Sequence, residues 1–418
     1  MTASSAIPPV DSYAPGIVTR APDGSVSRTG TILFLIGAVS LAASFVGLFM
    51  ATTDDVRTEF YFSYLTAFMF TLSLALGALF FVIVQHVARA GWSVVVRRVA
   101  ENMSVAVPAL LLLFLPIVFG AHDYLYHHWM HAELDSTKPA YDAIIAGKSG
   151  FLNPTFFYVR AGIYFAIWIG LATWFRKKSI EQDGNGNPQL SLKMARLGAP
   201  ALVLFALTIT FAAIDWMMTL DPHWFSTMFG VTYFAGSEMA FLGMLALICM
   251  FLGKKKLLSN AVNTEHYHDI GKLMFAFMVF WSYVNFSQYF LIHYADLPEE
   301  TMWFQHRMEH NWPIIGAILV IGHFIVPFGF LLSRHMKRNK TPLAVGAVFL
   351  LCMHWVDMKF LIQPTYSHHG FYVTWFDFAT LIGVLFIFLG LTFRSIANSN
   401  LLPTRDPKLK ESLKFVNI

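Results

Sequence analysis

Ten stretches of this chain are each long and apolar enough to cross a bilayer as a helix, and nothing else in the sequence constrains the fold as much. They fall at 31–52, 60–87, 102–124, 154–175, 194–220, 227–253, 269–295, 312–333, 341–362 and 375–396. About twenty apolar residues cross the ~30 Å hydrocarbon core. Inside that core backbone polar groups must be satisfied within the protein, so runs of this length resolve into helices. Little remains for a soluble domain: 56% of the 418 residues are hydrophobic and only 13% are charged. The expected fold is all-α and polytopic. Residues 1–30 form a mobile N-terminal arm, 31–396 the ten-helix transmembrane domain, and 397–418 a C-terminal tail. The first span, Thr31 to Thr52, is too long for a signal-peptide core and reads as a retained helix.

The basic residues orient these spans. Of 29 Lys and Arg, 23 fall in segments on the side of both termini, five fall on the other side, and Arg160 lies within a span. Basic loops stay in the cytoplasm, so both termini are expected there. The formal net charge of +4 reflects this bias and calls for no nucleic acid.

A repeat runs through the spans. A shift of 142 residues carries Pro200 onto Pro342, Val203 onto Val345, Asp215 onto Asp357 and Pro222 onto Pro364. The offset equals four helices and preserves direction across the membrane. It predicts two parallel four-helix bundles, helices 2–5 and 6–9, with helices 1 and 10 peripheral. Internal repeats often hold a site between halves, although many transporter repeats are inverted, whereas this one is parallel.

Ionisable side chains inside the spans are the candidates for function. A charge near the bilayer centre costs roughly 2.5–3.5 kcal/mol on insertion scales. Arg160, Asp215, Glu238 and Asp357 therefore need partners or a wet cavity. Arg160 is expected in a structural ion pair with Asp123 or Asp215. Most of the charge clusters towards the outer ends: Asp215, His354 and Asp357, His122 and Asp123 closing helix 3, His293 closing helix 7, and Asp377 opening helix 10. Glu238 and His323 lie near mid-span, Asn285 and Gln288 share one face of helix 7, and Gln85 and His86 lie at the cytoplasmic end of helix 2. Together these groups sketch a proton relay, since carboxylates and histidines exchange protons when their surroundings tune them. Glu238 is its expected centre.

Metal and haem are not expected. Cys249 and Cys352 both lie in apolar spans, and neither fits a haem-attachment or cluster motif. His122, Asp123, His127, His128 and His131 resemble a metal cluster but sit at the water interface. No helix carries two histidines spaced for a paired-haem bundle. Asp221-Pro222 and His223 read as a turn between helices.

Two stretches carry a family resemblance. Ile214 to Gly230 (IDWMMTLDPHWFSTMFG), and Phe286 to Ala295 (FSQYFLIHYA) followed by Pro298 to Thr301 (PEET), resemble the ActF subunit of bacterial alternative complex III. The likeness extends over nearly the whole chain. It implies an NrfD/PsrC-like subunit in a bacterial inner membrane, within a complex that oxidises menaquinol or ubiquinol and reduces a cytochrome c or a terminal oxidase. Electrons would travel through iron–sulfur and haem c partner subunits. An ActC-like sister subunit would hold the quinol site beside an iron–sulfur cluster. This chain would carry no redox cofactor of its own and would be surrounded by its partners and by lipid. A role in proton translocation is implied, but no catalytic residue is carried over. The alternatives are a quinone-binding anchor with its own quinol site, or a free-standing secondary transporter.

Overall fold

The computed structural model describes residues 6–12, 14, 16–21, 24–367 and 370–417. Among these residues ten helices are long and apolar enough to cross a membrane, and the protein is a multi-pass helical protein. They are α1 (Ser25–Met50), α2 (Asp54–Val87), α3 (Val94–Leu125), α4 (Pro154–Asn185), α5 (Gln189–Leu220), α6 (Phe229–Lys254), α7 (Thr264–Ala295), α8 (Trp312–Leu332), α9 (Lys340–Thr365) and α10 (Trp375–Ala397). No strand occurs among the described residues, only an isolated bridge between Glu133 and Tyr141.

Local signals set several ends. Asn153 accepts the Phe156 N–H at 2.9 Å and Pro154 follows it, a cap that opens α4. Gly186 closes α4 in the left-handed region at φ +64°, with its N–H on the Gln182 carbonyl. Reciprocal capping boxes open α7 at Asn263 and His266 and α10 at Thr374 and Asp377. Both α5 and α9 finish in 3-10 turns, Met218–Leu220 and Gln363–Thr365, at or just before the repeated prolines. α3 and α8 each contain a π-helical segment, at Ala121–Leu125 and Val320–Ile325.

Several helices outrun their apolar stretches. α3 begins at Val94 rather than 102, and α4 continues to Asn185 rather than 175. Arg97, Arg98, Glu101 and Arg176, expected in loops, are helical and buried. They neutralise one another and the tail. Arg98 meets Asp183 at 2.7 Å, Arg97 meets Asp406 at 2.5 Å, and Arg176 meets Glu101 at 3.3 Å and donates to Asn102 at 2.6 Å. Apolar periodicity cannot see a helix end whose charges cancel in space. The arm also differs from expectation. In its described part Val10 is buried, Ile7 N–H donates to Gly186 O at 2.9 Å, and Leu401 N–H donates to Thr19 O at 2.8 Å. The remaining arm residues lie outside the described ones.

α2 and α6 are the most enclosed helices and pack against each other. α2 also touches α3, α4, α5, α9 and α10, while α6 touches α5, α7 and α9. α1 lies chiefly along α10 through a glycine seam. A Cβ at Gly30 would stand 2.9 Å from the Gly390 carbonyl, and one at Gly37 would stand 2.7 Å from the Ile387 nitrogen. Such close backbone approach is how helices associate where no hydrophobic drive separates them from lipid.

Candidate functional site

The repeat-related aspartates anchor two different environments. Asp215, near the end of α5, is fully buried. Arg160 on α4 grips it bidentately, Nε to Oδ2 and NH2 to Oδ1, both at 2.7 Å. Tyr164 donates its hydroxyl to Oδ2 at 2.7 Å, and the Arg160 guanidinium also reaches the Phe151 carbonyl at 2.9 Å. The Phe151 and Phe156 rings lie 3.9 and 4.3 Å from that guanidinium. Of the two partners expected for Arg160 the structure selects Asp215. Asp123 is instead exposed, 2.8 Å from His122.

Asp357 on α9 meets no guanidinium among the described residues. Its Oδ2 accepts the Trp281 indole N–H from α7 at 3.0 Å. The Trp281 ring lies 3.9 Å from the His323 ring, and the His323 and His354 ring centres are 6.4 Å apart. Ser73 on α2 gives its proton to the Phe70 carbonyl at 2.6 Å. The same hydroxyl lies 3.0 Å from His354 Nε2, within hydrogen-bond reach, and Nδ1 is the ring nitrogen on the other side. That Nδ1 and both His323 nitrogens are buried with no partner among the described residues. Gly236 on α6 makes room for the imidazole, since a Cβ there would stand 2.9 Å from His354 Cε1. The π-helical segment Val320–Ile325 carries His323, and π-bulges recur at functional sites.

Glu238 is 1% exposed, and its Oε1 has no hydrogen-bond partner among the described residues. It makes no ion pair among the described residues. At ~1.5 Å rise per residue, Glu238, His323 and His354 lie within about 5 Å of the midpoints of α6, α8 and α9. The fold thus gathers His323, His354 and Asp357 around Trp281 and leaves Glu238 separate on the central helix α6. Trp281 was not singled out from the sequence. It lies four residues before Asn285, on the helix face that Asn285 marks, so the signal was present.

The other candidates fall elsewhere. Asp377 pairs with Lys359 at 2.6 Å, both buried, and accepts from Ser63 at 2.9 Å. This ion pair ties α9 and α10 to α2. His86 is buried and stacked 5.6 Å from Phe175. His293 is exposed beside Tyr289, 4.0 Å between rings. Arg307, counted from the sequence as a loop cation, is buried. It donates to the Trp303, Phe360 and Leu361 carbonyls, capping the end of α9.

At the face opposite the termini lie polar clusters. His306 meets Asp221 at 3.3 Å. That contact outweighs partial burial and raises the imidazole above its ordinary pKa. His122, Asp123 and His131 gather in one trio, and His128, Asp142 and His223 in another. No protein-family model and no curated protein matches this chain.

Proposed function

We propose that this chain is an ActF-like integral membrane subunit of a bacterial quinol-oxidising complex of the alternative complex III type. In this reading it serves as scaffold and as a path for protons. Both termini face the cytoplasm, and the Arg160–Asp215 face is periplasmic. Electrons pass through iron–sulfur and haem c subunits, with an ActC-like sister holding the quinol site. The neighbour pattern supports paired bundles in that α3 and α5 flank α2 while α7 and α9 flank α6; α1 lies chiefly on α10, and α10 in turn packs against α2.

One observation carries the proton path. Glu238 Oε1, both nitrogens of His323 and Nδ1 of His354 are buried near mid-helix without partners among the described residues. A buried unpaired polar atom costs about 1–3 kcal/mol, and a file of waters linking these groups would recover that cost. Asp357 would serve the periplasmic end and His86 the cytoplasmic end. Every group in this path can accept or release a proton.

Purification from the native membrane tests the assignment: haem c and iron–sulfur subunits should co-purify with the chain, and their absence would overturn it. In liposomes, Glu238→Gln should lower the protons moved per electron while quinol oxidation continues. An unchanged yield with normal turnover would remove Glu238 from the path.

A second reading, a quinol site of its own, has one observation in its favour. A cleft of about 320 Å³ lined by Phe151, Leu152, Ile214, Met218, Trp224 and Phe225 opens beside the Arg160–Asp215 pair. Labelling of these residues by a photoreactive quinone would support that reading, and labelling confined to the sister subunit would end it.

A further inference from the structure

We propose that His128, Asp142 and His223 form a binding site for one divalent transition-metal ion of the zinc class, on the face opposite the termini. One ligand atom from each lies within 4.8 Å of the others. The three residues come from separate segments: the short helix after α3, the cap before Ala143–Gly147, and the turn between α5 and α6. Two imidazole nitrogens and one carboxylate oxygen suit zinc and similar ions, whereas magnesium and calcium prefer oxygen alone.

The ligands are held by the fold. Asp142 Oδ1 accepts the Ile144 and Ile145 N–H groups at 2.9 and 3.1 Å, which fixes the carboxylate and turns Oδ2 towards His223 Nε2 at 2.6 Å. The His223 turn is pinned on both sides. Lys148 Nζ donates to the Pro222 carbonyl at 2.7 Å, and Trp224 Nε1 donates to the Glu300 carbonyl at 2.9 Å. The Lys148 charge is thereby engaged on a carbonyl beside the site. The His128 ring meets the His223 ring edge-on with centroids 5.1 Å apart. Tetrahedral coordination at ~2.0–2.1 Å sets ligand atoms about 3.3 Å apart, so ring movements of about 1 Å close the site around an ion.

The neighbouring trio fits less well. Asp123 and His122 are adjacent residues, 65% and 50% exposed at the side chain, against 31% and 22% for Asp142 and His223. Among the described residues Asp123 is held only by His122 and His131. The expectation of no metal weighed histidines along one segment, whereas the fold adds Asp142 from the following loop and His223 from far along the chain. A bound ion would staple the α3–α4 connection to the α5–α6 turn. This inference does not depend on the proposed function.

The test is zinc uptake by the full-length chain in detergent, read as metal content after dialysis and as the shift in unfolding temperature. Wild type should retain one Zn²⁺ per chain and unfold at higher temperature with it. His223→Gln should weaken retention by more than about tenfold, since even an outer partner of a metal site is worth about that much. His128→Gln, at an exposed position, should do the same. The double variant His122→Gln, His131→Gln should retain the ion. Wild type without stoichiometric zinc overturns the proposal. So does uptake in His223→Gln and His128→Gln equal to wild type, or a loss confined to the His122, His131 variant.

Discussion

Asp215 and Asp357 stand 142 residues apart at matching places of the repeat, yet Arg160 holds the first with two 2.7 Å bonds while the second receives one indole N–H from Trp281 at 3.0 Å. The two positions differ in charge. In the first the carboxylate is balanced by a guanidinium. In the second it faces groups that exchange protons, and there the relay is proposed.

Arg160→Leu should cost about 3–5 kcal/mol, the usual result of stripping one partner from a buried pair. Arg160→Lys should recover only part, because an ammonium cannot reproduce the bidentate fork. Unfolding temperature in detergent reads both, and a lysine variant as stable as wild type would reject the bidentate role.

Asp357→Asn and Asp215→Asn should separate stability from transport. The first should assemble and lower proton yield in liposomes. The second should reduce assembly, because the Arg160 guanidinium loses its counter-charge. Equal behaviour of the two would refute the difference in role between Asp215 and Asp357. Trp281→Phe should cost about 1–3 kcal/mol, since it leaves Asp357 Oδ2 buried without a donor.

The α1–α10 seam should tolerate no side chain. Gly37→Leu places carbon where the Ile387 nitrogen and Gly383 carbonyl already stand, at 2.7 and 2.9 Å from a Cβ. Overpacking should cost about 1–3 kcal/mol or more and expose α1 to protease. Gly170→Leu, where a Cβ meets nothing within 4 Å, is the control and should be neutral.

The His306–Asp221 pair should show a defined pH dependence. A histidine whose folded pKa is raised contributes stability that is fully present below the ordinary value of about 6.5 and is lost as pH climbs through the folded value. His306→Gln should therefore lower the unfolding temperature at pH ~6 and have no effect at pH ~9. A gap that stays constant over this range would show that the contact is not proton-linked.

Much of the fold was legible because insertion into lipid writes itself into sequence as long apolar runs. The ten spans and the Asp215–Asp357 offset needed no coordinates. Helix ends did not emerge, since Arg97, Arg98 and Arg176 look like loop cations until Glu101, Asp183 and Asp406 come beside them. The candidate groups were legible as residue types but not as neighbours. His354 and Asp357 share a helix and could be linked by spacing. Trp281, Lys359 and Ser73 enter through contacts between helices far apart in the chain. For the same reason Asp377, which read as a proton carrier, is an ion-pair member.

The Arg97–Asp406 contact has a consequence for biogenesis. Arg97 emerges from the ribosome 309 residues before its partner exists. Until then its guanidinium has Glu101 alone, at 3.5 Å, and Glu101 must also serve Arg98 and Arg176. A residue far along the chain thus completes the charge balance of one of its early helices, so the cluster cannot close until Asp406 has been made.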